Sequence, residues 1–325
     1  MPLDQIPASP PVRPPKVYRL AVVGTGYVGT VVAACFAHLG YEVTGIETDT
    51  AKLAQLRVGQ IPFHEPGLED LVNSCLRAGR LRFTAEYADA ITVADAVFLC
   101  VGTPPLPDGS ADVSALNDAV RSVAAAVRRP VTVVTKSTIP LGAAQSVCRV
   151  LRDTLAQRNG QAAPVTLVHN PEFLREGNAI GDFLHPDRVV LGSEDAQAVR
   201  LVADLYRPIL QQSFNGADPT KRPGLLCTDL TTAEAVKYAS NAFLATKISF
   251  INELANICDR VGADVTSVAT GMGLDHRIGA EFLSAGLGWG GSCFGKDLSS
   301  LITTARREGY EPALLTATAE VNNRQ

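Results

Sequence analysis

RLAVVGTGYVGTVVAACFAHLG, residues 19–40, carries the reading on which the fold turns. It opens as an apolar, strand-like run, passes through GTGYVG at 24–29, and continues as an apolar helical stretch to Gly40. In G-x-G-x-x-G each glycine has its own task. Gly24 permits the tight turn out of a strand, and Gly26 lets the backbone approach a pyrophosphate. Gly29 allows close packing of helix on strand, with the helix N-terminus facing the anion. Glycine-rich turns are common, so the pattern gains its meaning from its place between a strand and a helix. Glu47 ends the next strand-like run, YEVTGIE, 23 positions after Gly24. An acid there should hold the adenosine ribose hydroxyls and repel a 2′-phosphate, which makes NAD the expected cofactor rather than NADP.

Outward from this unit, short β-branched runs alternate with amphipathic helical stretches. The further strand candidates are DAVFLCVG, PVTVVTKS, VTLVHN and RVVLG. This alternation predicts an α/β fold, a Rossmann-like doubly wound parallel sheet covered on both faces. In such a sheet ligands lie beyond the carboxyl ends of the strands, so the turn VGTPP at 101–105 should border the cofactor. A polar segment, QQSFNGADPTKRPG, interrupts the pattern around 211–224. From Asp229 to Val261 there is neither Pro nor Gly, and about 33 residues at about 1.5 Å each make roughly 50 Å of helix. Gly262 provides its stop signal. Apolar residues on more than one face predict a helix buried along much of its length. The expected organisation is a disordered tail over 1–16, a Rossmann-like NAD-binding domain over 17–215, and a mainly α-helical central domain over 216–325 that is entered by the long connecting helix.

Composition narrows the function classes. With 46% hydrophobic and 19% charged residues the chain has an ordinary globular balance, and a net charge of -4 argues against nucleic acid or an anionic membrane as partner. No apolar run approaches the roughly 20 residues of a bilayer span. Seven cysteines with no C-x-x-C pair read as reduced thiols and predict a cytoplasmic protein. None of the five histidines has metal-site spacing, so no metal is expected.

Four longer blocks carry the chemistry: TKSTIPLG (135–142), HNPEFLREGNAIGDFLHPDRVVLG (169–192), AEAVKYASNAFLATKISFINELA (233–255) and GLGWGGSCFGKD (286–297). With GTGYVG, and with IPFHEPGLEDLV at 61–72, they resemble the UDP-glucose dehydrogenase family in order and spacing, from about Lys16 to Gln325. The resemblance implies a four-electron, NAD-dependent oxidation of the sugar C6 alcohol of UDP-glucose to the carboxylate. It also implies a homodimer.

Several residue readings suit that task. Cys293, in a glycine-rich loop ahead of a helix-like run, is the expected nucleophile, since a helix N-terminus favours a thiolate. It would hold the substrate carbon as a thiohemiacetal and then a thioester. Lys237 and Asn241 stand i, i+4 on the long helix and share a face. The resemblance has them hold the water or the C6 oxygen. It makes Glu172 the base for thioester hydrolysis, with Thr138 bonding that water and Asp297 orienting Lys237 or Thr138. It places the cofactor against Gly24, Gly26, Tyr27, Val28, Gly29, Glu47 and Lys52, then against Gly102, Thr103, Pro104, Ser137, Thr138, Glu176 and Lys296. The sugar nucleotide is expected at Glu172, Phe173, Leu174, Arg175, Lys237 and Asn241, and along Phe282, Leu283, Gly288 and Gly290. Arg277 would reach the substrate of the partner subunit.

Two departures from the family stand out. Gly295 replaces a proline, giving CFGKD, and should free the loop just past Cys293. The sequence also stops at VNNRQ, where the family continues into a second Rossmann-like domain that binds the nucleotide of the sugar. The expectation is a chain lacking that domain and impaired in turnover. The alternatives are a dehydrogenase for GDP-mannose or a UDP-N-acetylhexosamine, and a catalytically deficient NAD-binding or dimerisation module.

Overall fold

The structure, a computed structural model, describes residues 17–158 and 163–325; the expected tail at 1–16 lies outside the described residues. Eight strands form one sheet: β1 (Arg19–Val23), β2 (Glu42–Ile46), β3 (Leu81–Thr84), β4 (Ala96–Leu99), β5 (Val131–Thr135), β6 (Val165–His169), β7 (Arg188–Gly192) and β8 (Gly224–Thr228). Their order is β3-β2-β1-β4-β5-β6-β7-β8. Every pair is parallel except β6 with β7. The fold is therefore the expected doubly wound α/β sheet, with its switch point between β1 and β4.

Both faces of the central strands are buried, as parallel strands require. In β1, Leu20 and Val22 enter one core while Ala21 and Val23 enter the other, following the two-residue alternation of a strand. Phe36, from the helix Tyr27–His38, anchors the first core against Phe98, Phe183, Tyr41 and Tyr206. Strands β3 and β8 were not anticipated, and they are the two edges of the sheet. The reasons differ: β3, at four residues, is at the lower limit for a readable alternation, whereas β8 buries little of its surface. LRFT holds an exposed arginine, and GLLCT leaves Gly224 and Leu226 exposed.

The chain separates into two compact units, one formed through Thr103 and by Val113–Glu234, the other by Pro104–Asp112 and Ala235–Gln325. The first unit runs beyond the expected boundary at 215 because β8 joins the sheet and Ala233 packs beside Gly192 of β7. The second unit is helical, with Val265–Gly273, Phe294–Arg307 and Ala313–Arg324 accompanying most of the long helix Leu230–Val261. That helix ends at Gly262 with φ +72°, the left-handed conformation glycine supplies at a helix C-terminus. Buried residues run along it from Leu230 to Cys258, as expected, but its apolar residues are not all inside. Phe243, Phe250, Ile257 and Val261 are all exposed, and the first three recur every seven residues along one face. Among the described residues no helix is long and apolar enough to cross a membrane.

Candidate functional site

In the first unit the three glycines of GTGYVG behave differently from one another. Gly24 has φ +83°, donates its N–H to Ile46 O at 3.0 Å, and packs against Val101, which a Cβ would meet at 2.9 Å. A Cβ on Gly29 would lie 1.9 Å from Gly24 O, so close packing forbids any side chain there. At Gly26 a Cβ would meet nothing within 4 Å. Open space over a turn that opens a helix is the cradle a pyrophosphate needs. The helix begins at Tyr27, and its first internal bond is Thr30 N to Gly26 O at 2.9 Å. The N–H groups of Tyr27, Val28 and Gly29 therefore have no carbonyl one turn back.

Glu47 is buried just past β2. Its carboxylate accepts from Thr25 Oγ1 at 2.8 Å, Asp49 N at 3.1 Å and Lys52 Nζ at 2.6 Å. Burial alone would raise its pKa; the bonds from Lys52, Asp49 and Thr25 outweigh that and hold the carboxyl below its usual range. A carboxylate offers about four acceptor sites, so these donors leave roughly one. Lys52, expected at the cofactor, is tied to the same carboxylate.

The ends of β4, β5 and β6 carry the next group. Ser137 donates its hydroxyl to Val101 O at 2.6 Å, and Thr103 donates to Thr138 O at 2.7 Å, so the two strand-end turns are sewn together. A Cβ on Gly102 would meet nothing within 4 Å. Glu172 is buried, and its Oε2 accepts from Leu174 N at 2.7 Å. Phe173 lies under the Arg188 guanidinium at 3.9 Å from its centroid. Arg175 makes a forked pair with Asp182 at 2.7 Å, and Glu176 is exposed. Sequence reading missed Glu65. It is buried, accepts from Gly177 N and Ala179 N at 2.8 Å each, and takes the Tyr27 hydroxyl. One carboxylate thus joins the dinucleotide turn to the loop that carries Glu172 and Glu176. Its only sequence signal was its place in HEPGL.

The second unit gathers the remaining residues. Cys293 is half-buried and forms the N-cap of the helix Phe294–Arg307, with Asp297 N bonded to Cys293 O at 2.9 Å. Asp297 is 1% exposed; it accepts from Asn241 Nδ2 at 2.6 Å and from Lys296 Nζ at 2.7 Å. Lys237 is buried one turn before Asn241 on the long helix. The thiol-bearing turn is thus bonded to the helix that carries the lysine and the asparagine. Gly295 corrects another expectation. It lies inside the first helical turn rather than in a freed loop. Leu283 is buried after Phe282, whose φ of +64° is uncommon for a bulky residue and marks a constrained loop. Gly288 has φ +92°, and Gly290 is exposed with open space around it. Arg277 is largely exposed and forked onto Asp275. Pro104 begins the short segment of this unit that ends at Asp112. Among the described residues no cluster of His, Cys, Asp or Glu could hold a metal ion.

This is a dinucleotide-binding α/β unit combined with a helical unit that carries a cysteine at a helix N-terminus. The chain belongs to the UDP-glucose/GDP-mannose dehydrogenase family: residues 18–210 match its NAD binding domain and residues 231–324 its central domain. It is 45% identical over 307 residues to the UDP-glucose 6-dehydrogenase of Pseudomonas aeruginosa, covering 94% of this chain and 66% of that protein. It is 46% identical over 309 residues to that of Rhizobium meliloti, covering 94% of this chain and 67% of that protein. A solved UDP-glucose dehydrogenase from Pyrobaculum islandicum superposes with a TM-score of 0.88 at 40% identity, over 96% of this chain and 69% of the other. The chain spans about two thirds of the length of the curated relatives it matches.

Proposed function

We propose that this protein serves the NAD-dependent oxidation of UDP-glucose to UDP-glucuronate, with Cys293 as the covalent nucleophile. The observation that carries this reading is the bonded series in the second unit, in which Cys293 caps a helix whose Asp297 holds Asn241, one turn from Lys237. Cys293 stands at the opening of that helix, and the lysine ammonium with the asparagine amide suits an oxygen on which negative charge develops.

The residues of the first unit fit NAD. Gly26 leaves the space, Tyr27 to Gly29 offer backbone N–H groups, and Glu47 with Lys52 meets the ribose. Gly102, Thr103, Ser137, Thr138 and Glu176 complete the proposed cofactor contacts of this unit. When bound, NAD accepts the hydride that each oxidation releases. Cys293 adds to the C6 aldehyde, so that the second oxidation yields a thioester on its sulfur. Glu172, held by Leu174 N and helped by Thr138, takes one proton of the water that cleaves this thioester; the water's oxygen becomes part of the sugar carboxylate, and its other proton leaves with the sulfur as the free thiol. Phe173, Leu174, Arg175, Phe282, Leu283, Gly288 and Gly290 are the proposed sugar-nucleotide contacts.

Dimerisation belongs to the same reading. The exposed stripe Phe243, Phe250, Ile257 and Val261 on the long helix supports a homodimer, since such apolar surface gains from cover by a second copy. Arg277, exposed in this chain, would then serve the partner's substrate. The test compares the native protein with Cys293→Ala over a panel of sugar nucleotides, following NADH and sugar acid. UDP-glucose should be the preferred substrate, and the variant should bind NAD normally while forming no acid. Undiminished glucuronate from the variant would remove Cys293 from the chemistry.

A further inference from the structure

We propose that Asn322 is a positioning residue for Cys293, acting through the backbone of Trp289; this rests on the reading of Cys293 as nucleophile. Asn322 stands on the helix Ala313–Arg324. Its Oδ1 accepts from Trp289 N at 2.7 Å, and its Nδ2 donates to Trp289 O at 3.0 Å. A single side-chain amide thereby satisfies both backbone polar groups of one residue in the glycine-rich loop. Two opposed bonds fix the orientation of that residue, where one bond would leave it free to swing.

The neighbouring residue is shaped to admit the amide. Gly288 has φ +92°, and a Cβ there would lie 2.5 Å from Asn322 Oδ1. Glycine at 288 is therefore required by Asn322 as well as by the turn. Two further anchors hold the same loop. Gly286 N donates to Asn252 Oδ1 at 2.8 Å, while Gly286 O accepts from Gln325 Nε2 at 2.9 Å. Trp289 Nε1 donates to Ser249 Oγ at 2.9 Å, and that hydroxyl donates to Thr318 O at 2.9 Å.

From Trp289 the constraint reaches the thiol by packing. Its ring meets Phe294 edge-on at 6.5 Å between centroids, and its Cζ3 lies 3.9 Å from where a Cβ on Gly295 would stand. Phe294 and Gly295 are the first residues of the helix that Cys293 caps. Displacing Trp289 therefore loosens the turn that sets the direction of the sulfur. A shift of the nucleophile lowers turnover more than it weakens substrate binding, because near-attack geometry is what is lost.

Trp289 is the only tryptophan of the chain, so its emission reports on this loop alone. The experiment compares the native protein with Asn322→Ala, and with the nearly isosteric Asn322→Asp, which keeps the acceptor but removes the donor. Read out are tryptophan emission, its quenching by acrylamide, the rate of Cys293 alkylation by iodoacetamide mapped by peptide mass, and kcat against KM. Both variants should show red-shifted emission, severalfold stronger quenching, a severalfold change in Cys293 alkylation, and a fall in kcat at little-changed KM. Gly288→Ala should do the same, and combining it with Asn322→Ala should add less than the sum of the two. Thr246→Val, which removes the hydroxyl's contacts with Thr318 of the same terminal helix and with Ala242 O but touches no group of the loop, should leave emission and alkylation unchanged. Native emission and alkylation in both Asn322 variants would overturn the proposal. Acid formation by Cys293→Ala would instead overturn the catalytic reading, while the loop measurements still decide whether Asn322 positions the thiol.

Discussion

Two glycine-rich segments do different work in this molecule. GTGYVG at 24–29 is held by its own backbone and immediate packing. Gly24 bonds to the end of β2, and Gly29 presses on Gly24 O. GLGWGGSC at 286–293 is held mainly by side chains distant in sequence: Ser249 and Asn252 from the long helix, and Asn322 and Gln325 from the other end of the unit. The first is a local motif whose shape follows from strand, turn and helix. The second is a loop whose shape is imposed from outside. A cofactor phosphate needs only a fixed turn and open N–H groups, whereas a nucleophile must be aimed.

The sharpest way to break this comparison lies within the first segment. Gly29→Ala puts a Cβ 1.9 Å from Gly24 O and should abolish NAD binding and lower the melting temperature together. Gly26→Ala meets no neighbour and should weaken NAD binding at a nearly unchanged melting temperature. Calorimetric titration beside thermal unfolding separates the two, and equal loss of stability in both would mean the glycines are not distinct. In the second unit Lys237→Ala should slow turnover by about 10²–10³, the usual effect of removing one donor to a developing oxyanion. NAD affinity should remain. A rise in KM alone would reassign Lys237 to substrate binding.

Glu47→Ala tests the cofactor end more gently. It removes a charged acceptor from the ribose, a contact of about 1.5–3 kcal/mol, and frees Lys52, now 2.6 Å away, for a 2′-phosphate. The NAD preference over NADP should shrink by roughly ten- to a hundredfold. An unchanged ratio of dissociation constants would show that Glu47 does not face the ribose.

The smallest effect concerns a residue in neither segment. Glu234 is fully buried, and its carboxylate accepts from Gly142 N at 2.6 Å and Ala144 N at 2.7 Å, at the start of the helix Ala143–Ala156. Burial raises its pKa from 4.5 to about 7 against the pull of those two N–H groups, with nearby Asp229 adding to the rise. The folded chain then holds this proton more tightly than the unfolded chain. Its contribution to stability is complete below about pH 4.5 and is lost as the pH rises through about 7. Relative to Glu234→Gln, the native protein should lose a few degrees of melting temperature across that window. Parallel curves for the two would place the carboxyl back in its ordinary range.

The sequence by itself determined the doubly wound sheet, the dinucleotide turn, the long helix and the placing of Cys293 before a helix. Each follows from local periodicity or from a motif set in its strand-turn-helix context. Resemblance supplied the pairing of that cysteine with Lys237, Asn241 and Glu172. Tertiary structure alone decided the rest. The edge strand β3 is only four residues long and β8 buries too little to declare itself, and the apolar residues of the long helix leave a stripe exposed that periodicity places inside. Glu65 and Asn322 read in sequence as an ordinary acid and amide. Their roles depend on backbone groups 112 to 114 residues away for Glu65 and 33 residues away for Asn322. A side chain's hydrogen-bond partner is set by where the fold brings another segment, and nothing in the residues flanking Glu65 or Asn322 encodes that meeting.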